Sequence, residues 1–144
     1  MTVIPFISEH LAEMTIQDNP DNAGSMDRET IFRKAQERLN GPAITLLNDE
    51  NRIIACGGII NIWNGVGEAW SVSSTIAVRY PKFILSTARQ FIAGCTEYHR
   101  IQAIVIAGFI RAAKFLAHLG FQHEGDLRKY SETGQDYKLF SIVR

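Results

Sequence analysis

Arg79 and Lys82 flank Pro81, a residue suited to the first turn of a helix. Two cations at a helix start can grip a diphosphate, and they can equally be solvated surface charges. Glu68 follows the turn signal Asn64-Gly65, as a strand-end carboxylate facing water would. Ser73 and Ser74 close the segment that Glu68 opens. Tyr80 and Tyr130 carry phenols with a transferable proton, and either can instead end in solvent. Tyr130 follows the basic pair Arg128-Lys129. Trp63 and Trp70 bracket the turn, where they either line an acceptor pocket or pair across two strands.

Other chemistries find little support. His10, His99, His118 and His123 are scattered, and no pair has metal-site spacing with Cys56 or Cys95. There is no Gly-x-Ser-x-Gly elbow, no Walker loop and no dinucleotide fingerprint. Lys plus Arg equals Asp plus Glu at 15 each, so the formal charge is zero and nothing draws the whole molecule to nucleic acid or an anionic membrane. Both cysteines lie in apolar runs, which predicts buried, reduced thiols in a cytoplasmic protein. No basic leader opens the sequence, and no apolar run approaches the roughly 20 residues of a membrane span. With 144 residues, 46% of them hydrophobic, the chain reads as one domain over 1–144. A chain of that size buries about two-thirds of its unfolded surface without staples.

The elements that must position these groups follow from periodicity and turn chemistry. Val3 to Ile7 reads as a first strand, and Ser8 as the cap of a helix beginning at Glu9. Gln17 to Ser25 is polar and rich in turn residues, hence a loop. Ile31, Phe32, Ala35 and Leu39 predict a second helix, stopped by Asn40-Gly41-Pro42. Strands are expected over Ala43–Leu47, Arg52–Trp63 and Glu68–Ser73, with a bulge or close backbone approach at Gly57-Gly58. Ile84, Ala88, Phe91, Ile92 and Cys95 mark a central helix. The apolar run Ile101 to Ala107 suits a strand covered on both faces, reached by a right-handed parallel crossover. Phe109, Ala112, Leu116 and Leu119 form the stripe of a last helix. Gly120 can end it at positive φ, with Phe121 folding back on it. Strands Glu124–Ser131 and Gln135–Val143 follow, joined by a turn at Thr133-Gly134.

The order β-α-α-β-β-β-α-β-α-β-β, and a helix ending Leu119-Gly120-Phe121 before a strand, resemble the Gcn5-related N-acetyltransferase (GNAT) superfamily. The resemblance implies an α/β fold, with a mixed, mostly antiparallel central sheet and helices on both faces. It implies that the fourth and fifth strands part to admit the pantetheine arm of acetyl-CoA, and that amides at the next helix hold the pyrophosphate. On that pattern Val72 or Ser73 would offer a backbone N–H to the thioester. Ser74, Arg79, Lys82 and Phe115 would complete the acetyl-CoA contacts. Glu68 would be the base, acting through water, and Tyr130 or Tyr80 the proton donor. The implied activity is acyl transfer, chiefly of acetyl, from acyl-CoA to an amine acceptor that the sequence does not name.

The chain departs from the family pattern at three places. The loop Arg/Gln-x-x-Gly-x-Gly/Ala is replaced by Ser74-Thr75-Ile76-Ala77-Val78-Arg79-Tyr80-Pro81-Lys82, which has no glycine and where Pro81 removes a donor. The asparagine that often opens the last helix falls on Phe109, and the usual proton-donating tyrosine on Leu116. Trp70, Phe115-Leu116, Leu119-Gly120 and the ending from Gly134 to Phe140 are similar to short phage-encoded GNAT-like proteins, some linked to virion assembly. The second expectation is therefore a GNAT-fold phage accessory protein without catalysis, working in the host cytoplasm by binding a phage or host protein. Both readings allow a monomer or a homodimer.

Overall fold

The computed structural model describes residues 1–18 and 36–144. The elements are β1 (Thr2–Pro5), α1 (Glu9–Asp18), β2 (Ala43–Leu47), β3 (Ile53–Trp63) and β4 (Val66–Ser73). A 3-10 turn (Thr75–Arg79) leads to α2 (Pro81–Gly94), β5 (Arg100–Ile106), α3 (Ile110–His118), β6 (Gln122–Leu127) and β7 (Tyr137–Val143). The strands form a seven-stranded sheet in the order β1-β2-β3-β4-β5-β7-β6. Among the described residues β4 and β5 pair in parallel, while β1–β2, β2–β3, β5–β7 and β6–β7 pair antiparallel, so the mixed, mostly antiparallel α/β architecture expected from the sequence is present. The expected helix carrying Ile31, Phe32 and Ala35 lies outside the described residues, as does most of the Gln17–Ser25 loop.

Two compact units divide the chain: residues 1–60 with 69–84, and residues 61–68 with 85–144. In the first, β1, β2 and β3 run antiparallel, and Thr45 pairs with Cys56. One residue, Ile54, is extra between the pairs Leu46–Ala55 and Leu47–Ile53, so the bulge falls there and not at the glycines. The close approach does occur at Gly58, where a Cβ would lie 2.5 Å from the Pro42 carbonyl oxygen. Two apolar clusters fill this unit. Leu46, Ile54, Ala55, Ile76 and Ala77 form one, and Phe6, Met14, Ile53 and Cys56 the other.

Side chains at the end of α1 explain why that helix reaches Asp18 and takes in the start of the expected loop. The Gln17 amide donates to the Ile53 carbonyl and accepts from the Ile53 N–H, both at 2.9 Å. Residue 53 thus gains a hydrogen-bonding partner from a helix. The Ser8 hydroxyl donates to the Glu9 carboxylate, and the Ile7 N–H donates to His10 Nδ1.

In the second unit β5 and β6 flank β7, each antiparallel to it. Ile101 is completely buried, and Val66, Ile92, Ala103, Leu116, Phe121 and Phe140 are also interior. The Asn64-Gly65 turn starts β4 at once, at Val66, two residues before the strand expected from the sequence. Gly65 has φ +81°, and a Cβ there would lie 2.3 Å from the His99 ring, so both backbone and space demand glycine. α3 ends as its sequence predicts. Gly120 has φ +96° and donates to the Ala117 carbonyl, while the Phe121 N–H reaches the Leu116 carbonyl. This pair of bonds satisfies carbonyls that the helix cannot.

Candidate functional site

Local bonding in the first unit fixes the segment after β4. The bulge at Ile54 turns its carbonyl toward Ser74, whose N–H donates to it at 3.0 Å. The Ser74 hydroxyl donates to the Ile53 and Ile54 carbonyls at 2.7 and 2.9 Å, and the residue is buried. The Ser74 side chain is therefore spent on holding the turn. Thr75 donates its N–H to both oxygens of Asp18, and its hydroxyl to the same carboxylate. An anion from within the chain thus already sits on the first amide of the 3-10 turn.

Beyond that point the surface is cationic. Arg79 and Lys82 are exposed on either side of Tyr80-Pro81. Pro81 is the first residue of α2, as expected, and the Lys82 N–H belongs to the first turn, where no acceptor exists inside a helix. A diphosphate at the start of α2 would meet these donors. The Thr75 end, with Asp18 in place and no glycine, does not suit one. The Tyr80 ring packs on the Leu46–Ala77 cluster, and its hydroxyl accepts a long 3.4 Å bond from the Asn48 amide.

Strand alternation sorts the β4 side chains. Ser71 and Ser73 are exposed, whereas Trp70 and Val72 pack on the Phe6–Cys56 cluster. The Trp70 ring meets Phe6 edge-on at 5.2 Å, with the Arg38 guanidinium 5.1 Å from its centroid. This corrects the expected Trp63–Trp70 pair. A two-residue turn at Asn64-Gly65 sets Trp63 opposite Val66, and Trp63 is 69% exposed.

A buried polar chain in the same unit has no signature in the sequence. His10 Nδ1 lies 2.7 Å from the Thr45 hydroxyl, which lies 3.4 Å from Cys56 Sγ. Nδ1 also accepts the Ile7 N–H at 3.2 Å. Burial pushes the Cys56 thiol up to about 11, so this cluster holds no nucleophile. Only the pairing of Thr45 with Cys56 brings the groups together, a register invisible in their spacing. Both cysteines are free and buried.

The second unit holds Glu68, Phe115 and Tyr130. The β4–β5 ladder consists of Val66 with Arg100, Gly67 with Ile101, and Glu68 with Gln102, although β4 runs on to Ser73 and β5 to Ile106. Glu68 is half-buried and accepts a 3.3 Å bond from the Gln102 amide. Arg100 donates from Nε to Gln102 Oε1 and forms a bidentate pair with Glu124 at 3.1 and 2.8 Å. Hydrogen bonds from Arg100 and then Ser141 hold the Glu124 carboxyl below its ordinary value.

Tyr130 was expected on an edge strand, and it stands on a loop. β6 stops at Leu127, and Lys129 turns at φ +50° with its N–H bound to the Asp136 carboxylate at 2.8 Å. The Ser131 hydroxyl accepts the Gln135 N–H, and the Gln135 carbonyl accepts the Tyr130 N–H at 2.9 Å, so side-chain and backbone bonds together close this connection. The Tyr130 ring packs at 5.3 Å on Tyr137. Phe115 is half-buried, Leu116 is buried, and Phe109 is 56% exposed. Among the described residues no three His, Cys, Asp or Glu side chains gather as a metal site, and no helix is long and apolar enough to cross a membrane.

No family model matches the sequence. No curated protein matches it either. Solved structures do match. A ribosomal-protein-S5-alanine acetyltransferase from Vibrio fischeri superposes with TM-score 0.74 at 18% identity, covering 98% of this chain and 91% of that one. A spermidine N-acetyltransferase from Vibrio cholerae gives 0.72 at 13%, covering 99% and 95%. A GNAT-family acetyltransferase from Streptococcus pneumoniae gives 0.68 at 15%, covering 99% and 98%. At such identities the likeness is one of fold, and the fold is that of the GNAT acetyltransferases.

Proposed function

We propose that this GNAT-fold chain works as a single domain over 1–144 and transfers an acyl group, chiefly acetyl, from acyl-CoA to an amine. The observation that carries this reading is the end of the β4–β5 ladder at Glu68–Gln102. β4 continues as Ala69–Ser73 with backbone groups that β5 does not take up, and Arg79 and Lys82 follow at the start of α2. An amide-bearing pantetheine arm has the donors and acceptors to pair with such a strand, and a diphosphate has the charge to meet those two cations.

Positioning does most of the work. A backbone N–H at Val72 or Ser73 polarises the thioester carbonyl, and the neutral amine attacks its carbon. The C–N bond forms, the C–S bond breaks, and the amine's proton passes through water to Glu68. The departing thiolate takes a proton from Tyr130, Tyr80 or solvent. Ser74 contributes by anchoring the turn, and Phe115 packs against the arm. The reaction belongs to the cytoplasm, where acyl-CoA is found, or to a host's cytoplasm if the chain is phage-encoded.

Two observations favour a second reading, a GNAT-fold accessory protein that binds a phage or host protein without catalysis. Asp18 occupies the Thr75 amide, and buried Leu116 stands where a proton donor would be. Thermal melting with acetyl-CoA separates the two. Ligand at 100 times its dissociation constant stabilises by about 2.7 kcal/mol, and the double variant Arg79→Ala, Lys82→Ala should lose most of that shift. Absence of any shift at millimolar acetyl-CoA removes the transferase reading.

A further inference from the structure

The hydrogen bonds reaching Glu68 have only one possible direction. Arginine can donate but never accept. Arg100 therefore donates from Nε to the Gln102 oxygen, at 3.2 Å, and from both terminal nitrogens to Glu124. With its oxygen taken, the Gln102 amide must turn its NH2 outward, and that group meets Glu68 Oε1 at 3.3 Å. A flipped amide would set an NH2 against a guanidinium and an oxygen against a carboxylate, which is unfavourable at both ends. The backbone supports the arrangement. Glu68 and Gln102 are register partners in the β4–β5 ladder, and Gln102 pairs on its other side with Ser141 of β7. Gln122 and His123 of β6 pair with Ser141 and Phe140 of β7, which brings Glu124 alongside.

We infer that Gln102 is the positioning residue of the Glu68 carboxylate, itself locked by the Arg100–Glu124 pair. The inference rests on the reading above, in which Glu68 is the base. Gln102 holds Oε1 as an acceptor, so Oε2 is the oxygen that takes the proton from water. Gln102 touches neither amine nor thioester. Its effect on the reaction passes through the orientation of Glu68. The β4–β5 ladder ends at this pair, so Glu68 is the last residue of β4 that pairs with β5.

The test uses the full chain and three variants: Gln102→Met, which keeps the side chain's length without its donor, Gln102→Glu, and Glu68→Gln. CoA release from acetyl-CoA is followed with a panel of primary alkylamines and polyamines as probes. Glu68→Gln should lower kcat by roughly 100-fold, the lower range for loss of a general base. Gln102→Met should lower kcat by about tenfold, with the KM for acetyl-CoA unchanged. Gln102→Glu, which sets a second carboxylate against Glu68, should lower kcat further at the same KM. In parallel, the Gln102 side-chain NH2 signals of 15N-labelled protein should shift in Glu68→Gln. A wild-type kcat in Gln102→Met, or a KM for acetyl-CoA that rises along with the fall in kcat, overturns the inference while leaving the transferase reading standing. A wild-type protein that releases no CoA with any probe amine overturns both. Unmoved Gln102 signals in Glu68→Gln overturn the contact itself.

Discussion

Single residues carry much of the distinction between reactive and inert groups. Cys56 has the composition of a nucleophile and the surroundings of a core methyl group, with its thiol 3.4 Å from the Thr45 hydroxyl and only 1% of its surface exposed. Its ionisation is raised from 9.0 to about 11 first by burial, with the Thr45 bond pulling the other way. A raised folded value means that the fold holds the proton more tightly than the unfolded chain does. The stability so gained is complete below pH 9 and lost as pH climbs through 11. The expected result is an alkaline limb in the pH dependence of unfolding, worth on the order of 2–3 kcal/mol. Urea melts at pH 8 and pH 11 measure it, and Cys56→Ala should shrink it, leaving the part due to Cys95 and Tyr98, which burial also raises. An equal fall in the variant would assign the limb to other groups. The same residue-scale logic separates Ser74 from Arg79. Both were readable as acetyl-CoA contacts, yet the serine hydroxyl is consumed by two carbonyls and the arginine is left in solvent.

Elements here are held at their ends by side chains drawn from elsewhere in the same unit. The last carbonyls of α3 are closed by Gly120 and Phe121, and the His118 carbonyl also receives two bonds from Arg89 of α2, at 3.1 and 2.9 Å. Arg144 does the same for α2, donating to the Ile92 and Cys95 carbonyls and to Tyr98 beyond them. Replacing Gly120 by Ala keeps every contact, since a Cβ there meets nothing within 4 Å, but forces an alanine to φ +96°. The expected loss is about 1–2 kcal/mol, read as a lowered melting temperature. Arg144→Ala should cost about as much, by leaving part-buried carbonyls without a donor. If Gly120→Ala melted like the wild type, α3 would not end in the left-handed cap described.

For the molecule as a whole, charge balance sets behaviour more than any site does. With 15 basic and 15 acidic residues, the chain has no net charge at neutral pH when its histidines are neutral. Its solubility should be lowest near pH 7, and turbidity at fixed concentration should fall on either side. It should also pass through a heparin column at moderate salt. Retention there would reveal a basic surface that the totals conceal and would reopen nucleic acid as a partner.

Among the described residues, element types, their order, the Asn64-Gly65 hairpin and the Gly120 stop were determined by sequence alone, because periodicity and positive-φ glycines are local properties of a chain. The position of the bulge was not. Gly57-Gly58 signalled irregularity correctly, but Ile54 was the residue left over when β2 met β3. The aromatic neighbour of Trp70, the loop that carries Tyr130 and the Gln102–Glu68 bond were likewise decided by tertiary structure. Each depends on which residues of distant strands fall opposite one another. Register is a property of the assembled sheet, and a shift of one residue would send every one of these side chains to the other face.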